Sequence, residues 1–221
     1  MDKLQLLSFF ALGFVISRLL IAVGLPEHLV SKLIGRRPAS LTRLSFTILM
    51  LAAGLSFFVP NAVTVLTLLP VVEVLRETFR TDGASEEGSD ASLATILALA
   101  VIYGANIGGL ASITATPANG VFVAWLEAKA VAGRGAVQFA SWLCWGVPLA
   151  LIVALGAWGT LALCLRPWRW RPRPVALEGR EEGLLVGRRG WAVAVTVCYF
   201  LLATGLSLAM LRARGQGVLW V

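Results

Sequence analysis

Charged residues are scarce in this sequence. They make up 14% of its 221 residues, whereas an average soluble domain has about 25%, which argues against a soluble protein. The three cysteines are too few for the disulfide framework of a small secreted module. These cysteines and the single histidine are not spaced like the ligands of a zinc site. Because we also find no nucleophile–base pair and no carboxylates at metal-ligand spacing, we predict neither an enzyme nor a metal site.

Apolar residues are abundant instead. They form 58% of the chain, which excludes a disordered protein, because such chains are poor in apolar side chains. The net charge of +7 is compatible with nucleic-acid binding, but the basic residues lie between apolar runs and not along one face. We therefore predict an all-α integral membrane protein that contacts the lipid bilayer and no nucleic acid.

Three apolar runs reach the length of about 20 residues that a helix needs to cross the hydrocarbon layer. They are Leu4–Gly24, Val137–Leu165 and Trp191–Leu211. Two further runs, Leu44–Leu75 and Leu93–Leu126, are interrupted. We predict four crossings in the following order: a helix over 4–24, a re-entrant hairpin over 44–78, a discontinuous helix over 93–127, a helix over 137–165, a basic loop over 166–190, and a further transmembrane helix with a short tail over 191–221.

The hairpin prediction rests on the interruption of Leu44–Leu75 at Pro60 and Asn61. Each of its two arms has about 15 residues and would extend roughly 22 Å, which is short of a full crossing. We therefore expect the chain to enter the membrane and to return on the same side. Non-helical backbone at the tip is tolerated there if protein or a water-filled cavity surrounds it. The alternative is one long transmembrane helix with a proline kink.

The distribution of basic residues favours the hairpin. With it, thirteen Lys and Arg residues lie on one face, five lie on the other, and Arg18 lies within the first span. The thirteen are Lys32, Arg36, Arg37, Arg43, Arg76, Arg80, Arg166, Arg169, Arg171, Arg173, Arg180, Arg188 and Arg189. The positive-inside rule makes their face cytoplasmic. The prediction is a multi-pass inner (plasma) membrane protein whose N-terminus lies outside and whose basic loops lie in the cytoplasm.

The second interrupted run contains the stretch Gly104–Asn119, which reads GANIGGLASITATPAN. Glycine costs a helix about 1 kcal/mol and proline about 3, so such a stretch needs partners for its free backbone groups inside a membrane. We predict a helix over Leu93–Tyr103, an unwound loop, and a second helix from about Pro117. Secondary transporters use discontinuous helices of this kind to bind ions and substrates.

Close packing of two helices is the alternative explanation of the glycines in the stretch Gly104–Asn119. Gly104 and Gly108 have the spacing of a Gly-xxx-Gly packing seam. This alternative does not account for the polar residues of the stretch, namely Asn106, Thr114, Thr116 and Asn119.

Three stretches together resemble the divalent-anion/sodium symporter family, which carries dicarboxylates, citrate and sulfate. FALGFVISRLLIAVGLPEHLVSKLIG is similar to the helix before the family's first hairpin and to the interfacial helix that follows, here over 26–37. SFFVPNAVTVLTLLPVV is similar to the hairpin, and YGANIGGLASITATPANGVF to the discontinuous helix. The resemblance covers most of residues 9–126.

The resemblance implies site residues at the two interruptions. The implied cation-binding residues are Ser56, Asn61, Asn106, Gly108 and Gly109. The implied substrate-binding residues are Asn61, Thr64, Thr116 and Asn119, and the helix breaks fall at Pro60, Gly104 and Pro117. The sequence departs from the family motif at Pro60 and Ala62, where the family has serine and threonine. Sodium is the implied coupling ion, and no other cofactor is expected.

The implied function is transport of a small anion, a dicarboxylate, citrate or sulfate, coupled to a cation. Family members contain two inverted repeats that enclose the substrate near mid-membrane, and this sequence contains one hairpin and one discontinuous helix. We therefore expect a half-size or split symporter, completed by a second chain or by a homo-oligomer. Two alternatives remain: a non-transporting membrane subunit or remnant, and an arsenite or Na⁺/H⁺ carrier, whose Asn-x-x-Thr pattern would be Asn61–Thr64.

Overall fold

The computed structural model describes residues 11–12, 15–16, 18–24, 28, 38–80, 87–134, 137–169, 173–174 and 188–213. These residues form the helices α1 (Leu41–Ser56), α2 (Asn61–Arg80), α3 (Glu87–Ala111), α4 (Pro117–Ala128), α5 (Phe139–Leu165) and α6 (Arg189–Ala213). The described residues from 11 to 22 are also helical. A two-residue antiparallel pair joins β1 (Pro38–Ala39) to β2 (Arg173–Pro174). Apart from this pair, the described chain is all-α, as predicted.

Several predicted segments lie wholly or mostly outside the described residues. They are the interfacial helix over 26–37, the beginning of the helix over 4–24, the middle of the basic loop over 166–190, and the tail after 213.

Three of the described helices are long and apolar enough to cross a membrane. The candidate spans are Ala91–Ala111, Phe139–Leu165 and Gly190–Ala209. The span in α3 is 56% buried within the protein, whereas those in α5 and α6 are each 22% buried. Apolar side chains such as Leu163 and Leu202 are 71% and 73% exposed, which is the pattern of helices that face lipid. The protein is an integral membrane protein with α3 at its centre.

Ser40 caps the start of α1, since its Oγ accepts a hydrogen bond from the Arg43 N–H at 3.3 Å.

The chain reverses between α1 and α2 at residues 57–60. Proline at position 60 has no N–H to donate to the Ser56 carbonyl, which disfavours continuation of α1, and α2 begins at the next residue, Asn61. The structure therefore contains two helices here and no single kinked helix.

Contacts with α3 give the directions of the first helices. Gly104 of α3 lies against Leu49 of α1, and Gly108 lies against Ala53. The contacts follow the same order along both helices, so α1 and α3 are parallel. Asn61, at the start of α2, contacts Asn106 near the end of α3. The helix α2 is therefore antiparallel to both, and α1 and α2 form a hairpin that packs on α3.

The main hydrophobic core fills the space between these helices and α5. Its fully buried members include Leu49 from α1, Leu75 from α2, and Ile96 and Leu97 from α3. The helix α5 is antiparallel to α3, because Trp142 near its start donates through Nε1 to the Leu110 carbonyl at 2.9 Å. The end of α5 and the strand β2 therefore lie beside the start of α1 and the strand β1.

The structure corrects one predicted boundary. The helix α3 does not end at Tyr103 but continues to Ala111, and the break lies at residues 112–116. Gly104 and Gly108 are helical, and a Cβ on either would collide with the α1 backbone. Gly104 is therefore not a break. Because these glycines have no side chain, the backbone of α1 packs directly against α3 at both positions. The alternative interpretation as a Gly-xxx-Gly packing seam therefore applies to Gly104 and Gly108.

Candidate functional site

The candidate site lies where the two helix breaks, 57–60 and 112–116, meet near the end of α3. Both breaks are level with the middle of α6. Phe200 of α6 contacts the rings of Phe57 and Phe58 in the first break, and Tyr199 is hydrogen-bonded with Thr114 in the second. These two residues lie at the centre of the candidate span Gly190–Ala209. If that helix crosses the membrane, both breaks lie near mid-membrane.

At the first break, three polar side chains form a chain of hydrogen bonds. The Ser56 hydroxyl donates to Asn61 Oδ1 at 2.7 Å. The Asn61 amide nitrogen donates to Asn106 Oδ1 at 3.2 Å, and the Asn106 amide nitrogen donates to the Ile102 carbonyl of its own helix at 2.9 Å. This chain fixes the orientation of both amide groups and links the start of α2 to the end of α3.

At the second break, Asn119 joins the end of α3 to the start of α4. Its amide nitrogen donates to the carbonyls of Gly109 and Ser112, each at 2.9 Å. Thr116 caps α4, since its Oγ1 accepts from the Asn119 N–H at 3.4 Å, and Pro117 occupies the first turn, where its missing N–H costs nothing. Carbonyls that the end of α3 leaves without helical partners are thus satisfied locally, as a break inside a membrane requires.

A cleft of about 410 Å³ opens between the two breaks. Its lining residues are Asn61, Asn106, Ile107, Gly109, Leu110, Thr116, Ala118 and Asn119. This volume lies in the usual range for small-molecule pockets, about 300–1,000 Å³. None of these eight lining residues is charged. Among apolar neighbours, its lining includes the amides of Asn61, Asn106 and Asn119 and the hydroxyl of Thr116, and the first turns of α2 and α4 border it.

Five of the residues predicted from the sequence line this cleft: Asn61, Asn106, Gly109, Thr116 and Asn119. Three other residues predicted for the site, Ser56, Thr64 and Gly108, are not among the lining residues of the cleft. Ser56 is fully buried behind Asn61. Thr64 is 1% exposed and its hydroxyl donates to the Val59 carbonyl at 3.5 Å, so it stabilises the turn. Gly108 packs against Ala53 of α1.

Sequence reasoning did not select Ser112 or Ala118 for the site. The Ser112 hydroxyl lies 3.1 Å from Thr114 Oγ1, and the Ser112 carbonyl binds Asn119. The signal in the sequence was the alternation of small hydroxyl residues between Gly109 and Pro117. That alternation does not reveal which residue would hold the break together.

Comparison with known proteins gives two matches. A family model described as citrate transporter matches residues 3–219. Over 116 residues, the chain is 33% identical to the sodium-dependent high-affinity dicarboxylate transporter 3 of Caenorhabditis elegans. That alignment covers 49% of this chain and 20% of the relative, so the chain spans only a small part of the relative's length. The matched family and this relative are transporters and not enzymes.

Proposed function

We propose, because the chain belongs to the citrate transporter family, that it forms part of a membrane carrier for a small anion, namely a dicarboxylate, citrate or sulfate. The family assignment confirms the resemblance on which the sequence prediction rested. The named relative is sodium-dependent, which supports Na⁺ as the coupling ion for this chain as well.

One observation carries the proposal. The cleft between the two helix breaks brings Asn61 together with Asn106, Thr116 and Asn119, which lie 45 or more residues further along the chain. Discontinuous helices whose ends meet near mid-membrane are how secondary transporters build their substrate sites. A packing function alone would not need polar side chains around an open cleft at this depth, where unsatisfied polar groups are costly.

The chemistry of the cleft suits an anion together with a cation. The starts of α2 and α4, at Asn61 and Pro117, carry the positive ends of helix dipoles, which favour an anion. The cation would bind to oxygens, which hard ions prefer. Candidates are the side-chain oxygens of Asn61 and Asn106 and the carbonyl of Gly109, which retains a second lone pair beside its bond to Asn119. The Ser112 carbonyl is less suited, because it accepts from both Asn119 and the Ala115 N–H.

For the membrane topology, we propose four crossings and one re-entrant hairpin formed by α1 and α2. The parallel arrangement of α1 and α3, with α2 antiparallel between them in sequence, supports the hairpin. The pairing of β1 with β2 supports one common side for the two basic segments that precede α1 and follow α5. By the positive-inside rule this side is the cytoplasm of an inner-membrane protein, with the N-terminus outside.

A second chain or a second copy of this chain would complete the site. Carriers of this type hold their substrate between repeats, whereas this cleft is built from one hairpin and one discontinuous helix. We propose that transport is a rigid-body movement of this unit against the rest of the assembly.

Uptake into proteoliposomes tests the proposal. The purified chain, alone and co-reconstituted with a co-expressed second-repeat chain, is assayed with labelled citrate, succinate, sulfate and arsenite under an inward Na⁺ gradient and under an equal K⁺ gradient. We expect sodium-dependent uptake of at least one carboxylate or of sulfate. Uptake of arsenite alone, or sodium–proton exchange without anion uptake, would favour the other carriers of the superfamily. The absence of all uptake would favour a non-transporting subunit.

The variant Asn61→Ala tests the site itself. It removes the partner of Ser56 and of Asn106, and leaving a buried polar group without a partner costs about 1–3 kcal/mol. We expect uptake to fall at least about tenfold. The matched control is Thr67→Ala on the same helix, because the Thr67 hydroxyl donates only to the Val63 carbonyl of its own helix. Equal uptake by the two variants would remove Asn61 from the site.

A further inference from the structure

Helix α6 contacts both breaks through two neighbouring residues. The Phe200 ring lies 5.3 Å from that of Phe57 and 4.9 Å from that of Phe58, between ring centroids. Tyr199 is hydrogen-bonded with Thr114 of the second break. Tyr199 also packs against the small cluster that contains Val59 of the first break. One short segment of α6 therefore touches both ends of the cleft without lining it.

Buried hydrogen bonds hold α6 in place against α5. The Ser207 hydroxyl accepts from the Ala140 N–H at 3.0 Å and donates to Gln138 Oε1 at 3.4 Å. Gln138 and Ser207 are 2% and 4% exposed. Bonds of this kind are strong determinants of geometry because their groups have no water to replace the partner. The aromatic pair on α6 is thus held by the same frame that carries the start of α5.

An apolar groove of about 380 Å³ lies directly beside the aromatic contact. Its walls include Phe57 and Phe58 from the first break, Leu143 from α5, and Val197 and Phe200 from α6. Val197 and Leu201 of its lining are 50% and 67% exposed, so the groove is open on this side of α6. On this side of the tip, the aromatic rings beside the groove make the contact between α6 and the first break.

We propose that Phe200 and Tyr199 are positioning residues of the transport cleft. They hold the two breaks at a fixed separation from each other, so that the cleft keeps its shape. This inference rests on the proposed function only where it calls the cleft a transport site. Aromatic residues suit a position within the membrane, because their rings make directional contacts without carrying a charge. The polar hydroxyl of Tyr199 has Thr114 as its hydrogen-bond partner.

Accessibility of the tip tests the proposal without any transport measurement. The reporter is Val59→Cys, at a position of the first break that is 1% exposed, in a full-length chain whose Cys144, Cys164 and Cys198 are replaced by alanine. The reconstituted protein is treated with a water-soluble maleimide. We expect Phe200→Ala to raise the labelling rate about tenfold, because it removes both ring contacts with the first break. Phe200→Tyr keeps the ring and should stay within about twofold of the parent.

The control is Leu202→Ala, which shortens a side chain that is 73% exposed on the same helix. If Phe200→Ala proves poorly folded, Phe200→Leu keeps an apolar side chain of similar size and should still raise the rate several-fold. The proposal is overturned if the Phe200 variants and Leu202→Ala label at the same rate, or if Phe200→Tyr behaves like Phe200→Ala.

Uptake kinetics give the second readout. We expect Phe200→Ala and Tyr199→Phe to raise the KM for the anion more than about fivefold at normal protein content, because a smaller fraction of molecules holds the binding-competent cleft. An unchanged KM with altered protein content would mean a purely structural contact and would contradict the proposal. If the parent chain shows no uptake, the proposed function fails, while the labelling rates still decide whether α6 holds the tip.

Discussion

At the scale of single residues, three glycines of α3 have different neighbours although they are close in sequence. A Cβ on Gly104 or Gly108 would meet backbone atoms of Leu49 or Ala53 in α1. A Cβ on Gly109 would instead lie 2.6 Å from Asn61 Oδ1 and 2.7 Å from a methyl carbon of Thr116. Backbone cannot yield as a side chain can, so the first two positions concern stability and the third concerns the cleft.

Gly108→Ala should therefore destabilise the protein. Its methyl group would force α1 and α3 apart, and overpacking of this kind costs about 1–3 kcal/mol. Thermal unfolding in detergent, followed by the loss of monodisperse protein, measures the effect. The control is Gly159→Ala in α5, where nothing lies within 4 Å of the added Cβ. That variant should be neutral or slightly stabilising, because alanine is the better helix former.

Gly109→Ala should separate function from stability. The added methyl group would displace the side chains of Asn61 and Thr116, which line the cleft. We expect anion uptake to fall about tenfold or more, with a smaller loss of thermal stability than in Gly108→Ala. If Gly109→Ala keeps full uptake, the cleft as described is not the path of the anion.

At the scale of secondary-structure elements, the breaks are as well ordered by hydrogen bonds as the helices. The sequence Thr116-Pro117-Ala118-Asn119 provides a cap, a proline suited to the first turn, and an amide that returns to the end of α3. The glycines suggested a long unwound loop from the sequence alone, but the structure confines the break to residues 112–116. Helix packing on Gly104 and Gly108 extended α3, and the sequence does not specify which helix packs there.

Removal of the two helix caps should distinguish the second break from an ordinary helix start. Thr116→Ala and Ser40→Ala each remove a side chain that caps a helix, at a cost of about 0.5–2 kcal/mol. We expect similar losses of thermal stability but a loss of uptake only in Thr116→Ala. Thr116→Ser should restore uptake. Equal uptake in both alanine variants would show that the start of α4 has no special role.

At the scale of the whole molecule, the start of α1 and the end of α5 lie at one end, and a basic segment adjoins each of them in sequence. The start of α1 lies beside the end of α5 through the pairing of Pro38 with Pro174 and of Ala39 with Arg173. This agrees with the charge distribution that favoured the hairpin, although the two arguments are independent. The argument from charge depends on the asymmetry of the membrane, whereas the argument from the pairing of β1 with β2 depends on contacts within the protein.

Single cysteines should report this arrangement in intact cells. In a background without native cysteines, Ser40→Cys and Trp168→Cys are expected to react with an impermeant maleimide only after permeabilisation. Ala132→Cys, between α4 and α5, should react in intact cells, because the proposed topology places it outside. Opposite accessibility of positions 40 and 168 would contradict the re-entrant hairpin. Reaction of positions 40 and 168 in intact cells, without position 132, would mean inverted insertion.

The sequence by itself determined the class of protein and the family, because both depend on local properties. Runs of apolar residues, prolines at fixed places and short polar motifs can be read without knowing what each segment contacts. Asn61, Asn106, Thr116 and Asn119 could be singled out in this way, since polar residues stand out in an apolar segment.

Only the tertiary structure decided which glycines serve packing, which lies beside the cleft, and where α3 ends. Those outcomes depend on the distance between residues remote in the chain, such as Gly108 and Ala53 or Phe200 and Phe57. Contacts of this kind are set by how several helices pack at once. The sequence around Phe200 does not indicate which helices this ring contacts, so its part became visible only when α6 was seen beside both breaks.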